Sequence, residues 1–250
     1  MILIIGPCVI AEDPLEIAAR VKGIVECFKW DEFYFKASFD KANRTSHLNY
    51  RGPGVHRGLM VLDDVRRTLG VKVTTDVHEV WQARPVADVV DMLQIPALLC
   101  RQTDLIQACA ETGKTLNIKK GQFLAPWDVK YAVEKAEAAG CKTTYVTERG
   151  TSFGYNRLVV DMLSFPIMKG MGLKTIFDCT HSLQLPGAGC GCSAGSTEYV
   201  VPLAKAAIGA GAEGLFMEVC LSRESAKCDG ANSVLVDELA DVLFQLLPLR

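Results

Sequence analysis

The chain opens with "MILIIGPC" (residues 1–8), a run of aliphatic residues that ends in Gly6, Pro7 and Cys8. A short apolar run of this kind, bounded by Gly and Pro, is typical of a fully buried strand. The stretch therefore predicts a strand over Ile2–Gly6 with a thiol directly beyond its end. Taken alone, it leaves Cys8 open as a core residue, half of a disulfide, a nucleophile or a metal ligand.

The same pattern recurs along the chain, and each apolar run is followed by a longer segment with helical spacing. The further predicted strands are Phe33–Ala37, Val71–Asp76, Val89–Ile95, Thr115–Lys119, Thr143–Glu148, Thr175–Cys179 and Gly214–Val219. Asp13 followed by Pro14 predicts the N-cap and first residue of the first helix. About eight such units predict an α/β fold, a single-domain (β/α)8 TIM barrel over residues 1–250.

Composition limits the classes of function. Hydrophobic residues make up 49% of the chain and charged residues 22%, which is typical of a globular protein and unlike a disordered one. The formal net charge of −2 indicates no general affinity for nucleic acid or for a membrane surface. The ten cysteines are scattered through predicted strands and helices, a pattern typical of reduced thiols. We expect a cytoplasmic protein without nucleic-acid or membrane partners.

Active sites of (β/α)8 barrels lie at the carboxyl ends of the strands. The predicted strand ends and the loops after them carry an unusual number of reactive side chains: Cys8, Lys36, Lys41, Asp76, Gln94, Lys119, Lys120, Glu148, Arg149, His181 and Glu218. A single polar residue there usually caps the next helix. So many together predict one shared polar site.

Several cations among these residues indicate that the site binds phosphate groups. The segment "KASFDKANRTS" (residues 36–46) supplies Lys36, Lys41 and Arg44, and Lys119, Lys120 and Arg149 follow later strands. The alternative is that each lysine is solvated and pairs with a surface carboxylate. The chain has neither a Walker sequence nor a dinucleotide fingerprint, so nucleotide binding lacks its usual support.

A second group could hold a metal ion. Cys8, His181 and Glu218 end the first, seventh and eighth predicted strands, which are neighbours in a closed barrel, and Asp229 lies in the next loop. Thiolate, imidazole and carboxylate together suit a divalent transition metal such as zinc, iron or manganese. The rival is a Cys8–His181 nucleophilic pair, which nearby carboxylates disfavour because they raise the pKa of a thiol. Cys190 and Cys192, in the glycine-rich stretch "LPGAGCGCSAGS", are expected to be plain loop residues.

Seven segments together resemble the 3-deoxy-D-manno-octulosonate 8-phosphate synthase family. They are "KANRTSHLNYRGPG", "TDVHE", "QIPALLCRQTDL", "NIKKGQF", "ERGTSFGYN", "FDCTHSLQLPG" and "AKCDG". The most specific are KANRTS (residues 41–46) and the segment around His181. The related heptulosonate-phosphate synthases share the barrel but carry a KPRTS-like sequence, so Asn43 favours the octulosonate enzymes.

The resemblance implies an enzyme of lipopolysaccharide biosynthesis that condenses phosphoenolpyruvate with arabinose 5-phosphate and water and releases phosphate. It implies that phosphoenolpyruvate is bound by Lys36, Ser38, Lys41, Lys120, Arg149 and Gln184. It implies that the sugar phosphate is held by Asn43, Arg44, Thr45, Ser46 and Asp76. Arg101 would reach that phosphate across a subunit interface of a homotetramer. His181 and Asp229 join Lys36, Lys41, Lys120 and Arg149 as the expected catalytic residues.

The family divides into metal-dependent enzymes with cysteine after the first strand and metal-independent enzymes with asparagine there. Cys8 places the chain in the metal-dependent branch, with His181, Glu218 and Asp229 as the other ligands. The chain departs from the family pattern at Cys220 and Thr197. Three alternatives therefore stay open: a synthase that uses erythrose 4-phosphate, a phosphosugar-binding barrel without activity, and a thiol-dependent hydrolase.

Overall fold

The computed structural model describes residues 1–11, 13–189 and 192–247, and it contains a closed barrel of eight parallel strands. The barrel strands are β1 (Ile2–Gly6), β2 (Glu32–Lys36), β3 (Lys72–Asp76), β4 (Met92–Ile95), β5 (Thr115–Lys119), β6 (Thr144–Glu148), β7 (Lys174–Asp178) and β8 (Gly214–Cys220). The predicted (β/α)8 barrel is confirmed.

Eight helices surround the barrel. They are α1 (Pro14–Glu26), α2 (Val55–Leu69), α3 (Ala83–Ala87), α4 (Thr103–Ala110), α5 (Lys130–Ala138), α6 (Ser164–Gly170), α7 (Val200–Gly209) and α8 (Leu239–Leu246). The predicted start of the first helix is confirmed, because the Asp13 carboxylate accepts from the backbone N–H of Leu15 at 3.0 Å and of Glu16 at 3.2 Å. None of the described helices is both long and apolar enough to cross a bilayer.

Short additional strands decorate the carboxyl end of the barrel. Thr151–Ser152 pairs with Leu158–Val159 after β6, and Gln184–Gly189 pairs with Cys192–Gly195 after β7. Val234–Leu235 extends the sheet beside the end of β8. These pieces lie on the loops where a (β/α)8 barrel builds its active site.

The barrel closes because β1 pairs with both β2 and β8. Its register runs from Ile2 opposite Gly214 to Gly6 opposite Glu218. The first strand is therefore the direct neighbour of the last, and the residues that follow β1 meet the end of β8.

The predicted strands Ile2–Gly6 and Thr115–Lys119 have the observed bounds, and the others differ by one to three residues at an end. The largest difference is at β4, which begins at Met92 rather than Val89. Val89 and Val90 donate backbone hydrogen bonds to Val86 and so prolong the turn after α3. Apolar character alone does not distinguish such a buried turn from a strand.

Side-chain alternation divides the barrel into two environments. Leu3 and Ile5 point outward into the main core beneath the helices, whereas Ile2 and Ile4 point inward. The inward side chains form a separate apolar cluster that fills the lower barrel: Ile2, Ile4, Tyr34, Met92, Tyr145, Ile176 and Phe216. Above this cluster the inward positions become polar, which defines the floor of a site.

The contact between β1 and β2 leaves no room for a side chain at Gly6. A Cβ atom there would lie 2.0 Å from the backbone oxygen of Lys36. Gly6→Ala is therefore expected to lower the free energy of unfolding by about 3 kcal/mol, because the two strands must separate. Gly23→Ala is the control, since Gly23 is exposed in α1 with nothing within 4 Å of the added atom. That variant is expected to gain about 0.5–1 kcal/mol. Chemical denaturation measures both, and equal effects would contradict the packing argument.

Candidate active site

A cavity of about 580 Å³ opens at the carboxyl ends of the strands. This volume is in the range of small-molecule sites. Its wall combines residues of the 41–49 loop with strand ends and with the loops after β7 and β8. Ten of the predicted site residues line it: Lys36, Lys41, Asn43, Arg44, Thr45, Asp76, Arg149, His181, Gln184 and Asp229.

The four candidate metal ligands meet at one point. Ligand atoms of Cys8, His181, Glu218 and Asp229 all lie within 4.8 Å of one another. The Cys8 thiol lies 3.0 Å from Asp229 Oδ2, and His181 Nε2 lies 3.3 Å from Glu218 Oε1 and 4.0 Å from Asp229 Oδ2. The closure of β1 onto β8 produces this meeting, because Gly6 and Glu218 are partners in the register.

Asp178, at the end of β7, orients the His181 ring. Its Oδ2 lies 2.7 Å from His181 Nδ1, and its Oδ1 accepts from the backbone N–H of His181 at 2.8 Å. A proton on Nδ1 that faces Asp178 leaves the lone pair of Nε2 directed at Glu218 and Asp229. This carboxylate–histidine arrangement is the one that metal-ligating histidines use.

The donor set fits a divalent transition metal. One thiol, one imidazole and two carboxylates converge with a preset tautomer, and burial leaves Cys8 and Glu218 nearly without solvent. Without a cation, burial raises the pKa of the Cys8 thiol well above its ordinary value, and a hydrogen bond with Cys228 and the charge of Asp229 add to the rise. Bound metal deprotonates a coordinating thiol, whereas a nucleophile would have to ionise against this environment. The geometry therefore favours the ligand hypothesis for Cys8 over the nucleophile hypothesis.

Four cationic side chains surround this cluster. Lys36 is 1% exposed, and its Nζ lies 3.4 Å from Glu218 Oε1 and 3.7 Å from Asp76 Oδ2. Lys41 Nζ lies 3.9 Å from the same Glu218 oxygen. Buried cations with carboxylate partners stay charged, so they can attract phosphate groups into the cavity.

Two further cations come from β5 and from the end of β6. Lys119 Nζ lies 2.6 Å from Asp178 Oδ2, and Arg149 donates hydrogen bonds of 2.9 Å to the His181 carbonyl and to Gln184 Oε1. Burial lowers the pKa of Lys119 and of Arg149, and the nearby carboxylates partly offset this effect. Both side chains line the cavity beside His181.

Asp76 holds the opposite side of the site. It accepts hydrogen bonds from the Ser38 hydroxyl and, at 2.6 Å, from Gln94 Nε2. Burial alone would raise the pKa of Asp76, but Lys36, Lys41 and the Ser38 hydrogen bond hold it well below its ordinary value. Asp76 is therefore a charged acceptor that faces the cavity.

The KANRTS loop closes over the site through Arg44. Its Nη1 lies 2.9 Å from Cys228 Sγ, its Nη2 donates to the Lys227 carbonyl, and its Nε donates to the Tyr50 carbonyl at 2.9 Å. One guanidinium thus joins the loop after β2 to the loop after β8, which also carries Asp229. Ser46 is half-buried, and its hydroxyl accepts from the backbone N–H of Leu48 at 3.3 Å.

Two predicted site residues lie outside the part of the cavity wall that the structure describes. Lys120 points away from the barrel interior because it alternates with Lys119, and its Nζ bonds the Leu124 carbonyl at 2.8 Å and lies 3.4 Å from Glu148. Arg101 is exposed in the turn after β4. Cys190 and the side chain of Cys192 fall outside the described residues.

Sequence reasoning missed Asp178 and gave Lys119 no role. Asp178 precedes His181 by three residues in "FDCTHS", at the predicted end of a strand, and this spacing was an available signal. The inward direction of Lys119 could have been read from its alternation with Ile118. Of the two departures, Cys220 is buried at the end of β8, and Thr197 begins a single 3₁₀ turn, Thr197–Tyr199.

The DAHP synthetase I family matches residues 1–247. The chain belongs to this family. Its relatives support a more specific resemblance within the DAHP synthetase I family, because many curated members are about half identical to the chain over nearly its full length.

Three of these relatives carry the same name, 2-dehydro-3-deoxyphosphooctonate aldolase. The protein of Desulfatibacillum aliphaticivorans is 50% identical over 252 residues, which cover 100% of this chain and 92% of the relative. That of Geobacter sp. (strain M21) is 52% identical over 246 residues, 98% of this chain and 90% of the relative. That of Desulfotalea psychrophila is 49% identical over 253 residues, 100% and 90%. The resemblance drawn from the sequence motifs is confirmed.

The His181–Asp178 contact generates a test of the cluster. Asp178→Asn is expected to weaken zinc binding about 10- to 100-fold, because an amide no longer holds the Nδ1 proton by charge. The measurement is competition with a chromophoric chelator. Asp63→Asn, which removes a surface carboxylate of α2 that pairs with Arg66 and Arg67, is the control and should bind zinc like the wild type. Unchanged affinity in Asp178→Asn would contradict the orienting role.

Proposed function

We propose that the chain is a 3-deoxy-8-phosphooctulonate synthase, a transferase that condenses phosphoenolpyruvate with D-arabinose 5-phosphate and water. The products are 3-deoxy-D-manno-octulosonate 8-phosphate and inorganic phosphate, which places the enzyme in lipopolysaccharide biosynthesis. The observation that carries the proposal is the identity of about half of all residues to relatives named 2-dehydro-3-deoxyphosphooctonate aldolase. The cavity supports it, because its cations suit two phosphorylated substrates.

Phosphoenolpyruvate would lie among the buried cations. Lys36, Lys41 and Arg149 neutralise its carboxylate and phosphate, with Gln184 and Ser38 as neutral partners. The remaining lysine contact, which the resemblance gave to Lys120, we assign to Lys119, because Lys119 lines the cavity. Its ammonium lies between Asp178 and the cavity, where a bound anion gains a charge-assisted hydrogen bond.

The sugar phosphate would occupy the side formed by the 41–49 loop. Asn43, Arg44, Thr45 and Ser46 offer donors to its phosphate and hydroxyl groups, and Asp76 accepts from a sugar hydroxyl. Arg44 is already tied to the loop of Cys228, so the acceptor sugar binds where two loops are joined. This arrangement brings the aldehyde carbon close to the enol carbon of phosphoenolpyruvate.

The chemistry needs charge control more than a covalent intermediate. The enol carbon forms a bond to the aldehyde carbon, water adds to the phosphate-bearing carbon, and the tetrahedral intermediate expels phosphate. Lys36, Lys119 and Arg149 hold the charge that moves onto the departing phosphate. Burial of these groups makes their charges more effective than they would be in water.

The proposal includes a divalent metal ion (zinc, iron or manganese) held by Cys8, His181, Glu218 and Asp229. When bound, the ion supplies Lewis acidity that orients the aldehyde or lowers the pKa of water. Around it, Asp178 holds the Nδ1 proton of His181, and Lys36 balances the charge of Glu218.

The proposal also includes a cytoplasmic homotetramer. Among cysteines whose side chains are described, none is in a disulfide, which suits a reducing compartment. Arg101 is exposed beyond β4, where it can reach the sugar phosphate of a neighbouring subunit.

The decisive assay is phosphate release from phosphoenolpyruvate with arabinose 5-phosphate, beside erythrose 4-phosphate, before and after chelation and metal addition. We expect release with the five-carbon sugar only, lost on chelation and restored by a divalent metal. Release with erythrose 4-phosphate alone would contradict the acceptor, and no release with either sugar would contradict the enzyme. Activity that survives complete metal removal would contradict the metal and leave the synthase standing.

Cys8→Asn tests the ligand set directly. We expect this variant to lose bound metal and to keep part of the activity, because members of the metal-independent branch carry asparagine at this place. Metal content is measured by elemental analysis beside phosphate release. Cys27→Asn, at the exposed end of α1, is the matched control and should keep both. Metal retained at full occupancy in Cys8→Asn would remove Cys8 from the ligands.

A further inference from the structure

A chain of buried hydrogen bonds crosses four strands beneath the cavity. The Thr147 hydroxyl of β6 donates to Asn117 Oδ1 of β5 at 2.7 Å, and Asn117 Nδ2 donates to Gln94 Oε1 of β4 at 2.9 Å. Gln94 Nε2 in turn donates to Asp76 Oδ1 of β3 at 2.6 Å. Asp76 and Gln94 line the cavity, whereas Asn117 and Thr147 lie below the wall that the structure describes.

The parallel register builds this chain. Asp76 is the partner of Gln94, and Gln94 is the partner of Asn117. Alternation turns these residues and Thr147 toward the barrel axis, since Met92 and Tyr145 two residues earlier belong to the inward apolar cluster. The four side chains are therefore adjacent because the barrel makes them so.

The direction of the chain follows from its last member. An ionised Asp76 can only accept, so the amide nitrogen of Gln94 must face it and the amide oxygen of Gln94 must face Asn117. Asn117 then presents its nitrogen to Gln94 and its oxygen to Thr147. Every donor points toward Asp76, and the Thr147 proton terminates the sequence.

Such a chain has a cost that needs a compensating role. Interiors of (β/α)8 barrels are filled mainly by bulky branched apolar side chains, and a buried amide is expensive unless its partners are all present. Asn117 is fully buried and Thr147 is fully buried, so neither serves solubility or contact with a ligand. Their only polar contacts among the described side chains lead to Gln94 and thus to Asp76.

We propose that Asn117 and Thr147 are positioning residues that lock the Gln94 amide and thereby set the Asp76 carboxylate for the acceptor sugar. The inference rests on the proposed function for the role of Asp76, and it concerns the sugar side of the site alone. Phosphoenolpyruvate binds to cations that the relay does not touch.

The chain offers a matched control at Thr74. This threonine lies in β3 two residues before Asp76, it is fully buried, and its hydroxyl has no hydrogen-bond partner. Thr74→Val and Thr147→Val make the same isosteric change inside the same barrel. Only the second removes a proton from the relay, and Thr74 is nearer to Asp76 in the chain than Thr147 is.

The test compares steady-state kinetics of the metal-loaded wild type, Thr147→Val, Thr147→Ser and Thr74→Val. We expect Thr147→Val to lower kcat/KM for arabinose 5-phosphate about three- to tenfold, the loss of one hydrogen bond, with KM for phosphoenolpyruvate unchanged. Thr147→Ser keeps the hydroxyl and should restore the wild-type value. Thr74→Val should match the wild type throughout.

Three results would overturn the inference: Thr147→Val equal to the wild type, Thr74→Val equally impaired, or parallel losses for both substrates. An inactive wild type would instead contradict the proposed function. A crystal structure of Thr147→Val then decides the relay independently of activity. The inference expects the Gln94 amide to turn away from Asp76, and retention of the short Gln94–Asp76 contact would overturn it.

Discussion

The pairing of the first strand with the last is the constraint on which the rest of the structure depends. β1 bonds to β8 in a register that sets Gly6 opposite Glu218, and only this closure brings Cys8 to His181, Glu218 and Asp229. The four residues are separated by up to 221 positions in the chain. The same pairing removes both sheet edges, so the strands can be almost entirely apolar on their outer faces.

The second constraint is electrostatic. Carboxylates and cations are confined together in a largely buried space, where an unpaired charge would be very costly. The structure solves this by sharing partners: Lys36 contacts both Glu218 and Asp76, and Lys119 and His181 share Asp178. Each cation stays charged and yet directed toward the cavity. The site is therefore prepared for anions before any substrate arrives, which reduces the reorganisation that binding requires.

The barrel and the outline of its site could be predicted from the sequence, because both depend on local patterns. Eight apolar runs give the strands, and the residue after each run must lie at the carboxyl end. The details that failed depend on neighbours. Val89–Asp91 looked like strand but continues the turn after α3, and Lys120 looked equivalent to Lys119 although strand alternation sends it behind the barrel. Asp178 was overlooked because its role exists only through its contact with His181.

By itself, the sequence determined the (β/α)8 architecture, the family, and the residue types available at the mouth of the barrel. These follow from periodicity and from short motifs such as KANRTS, which are properties of adjacent residues. Only the tertiary structure decided which of those side chains meet, which tautomer His181 presents, which of two consecutive lysines faces the cavity, and how Thr147 is connected to Asp76. Those outcomes depend on strand register and burial, since contacts between distant residues form only when the barrel closes.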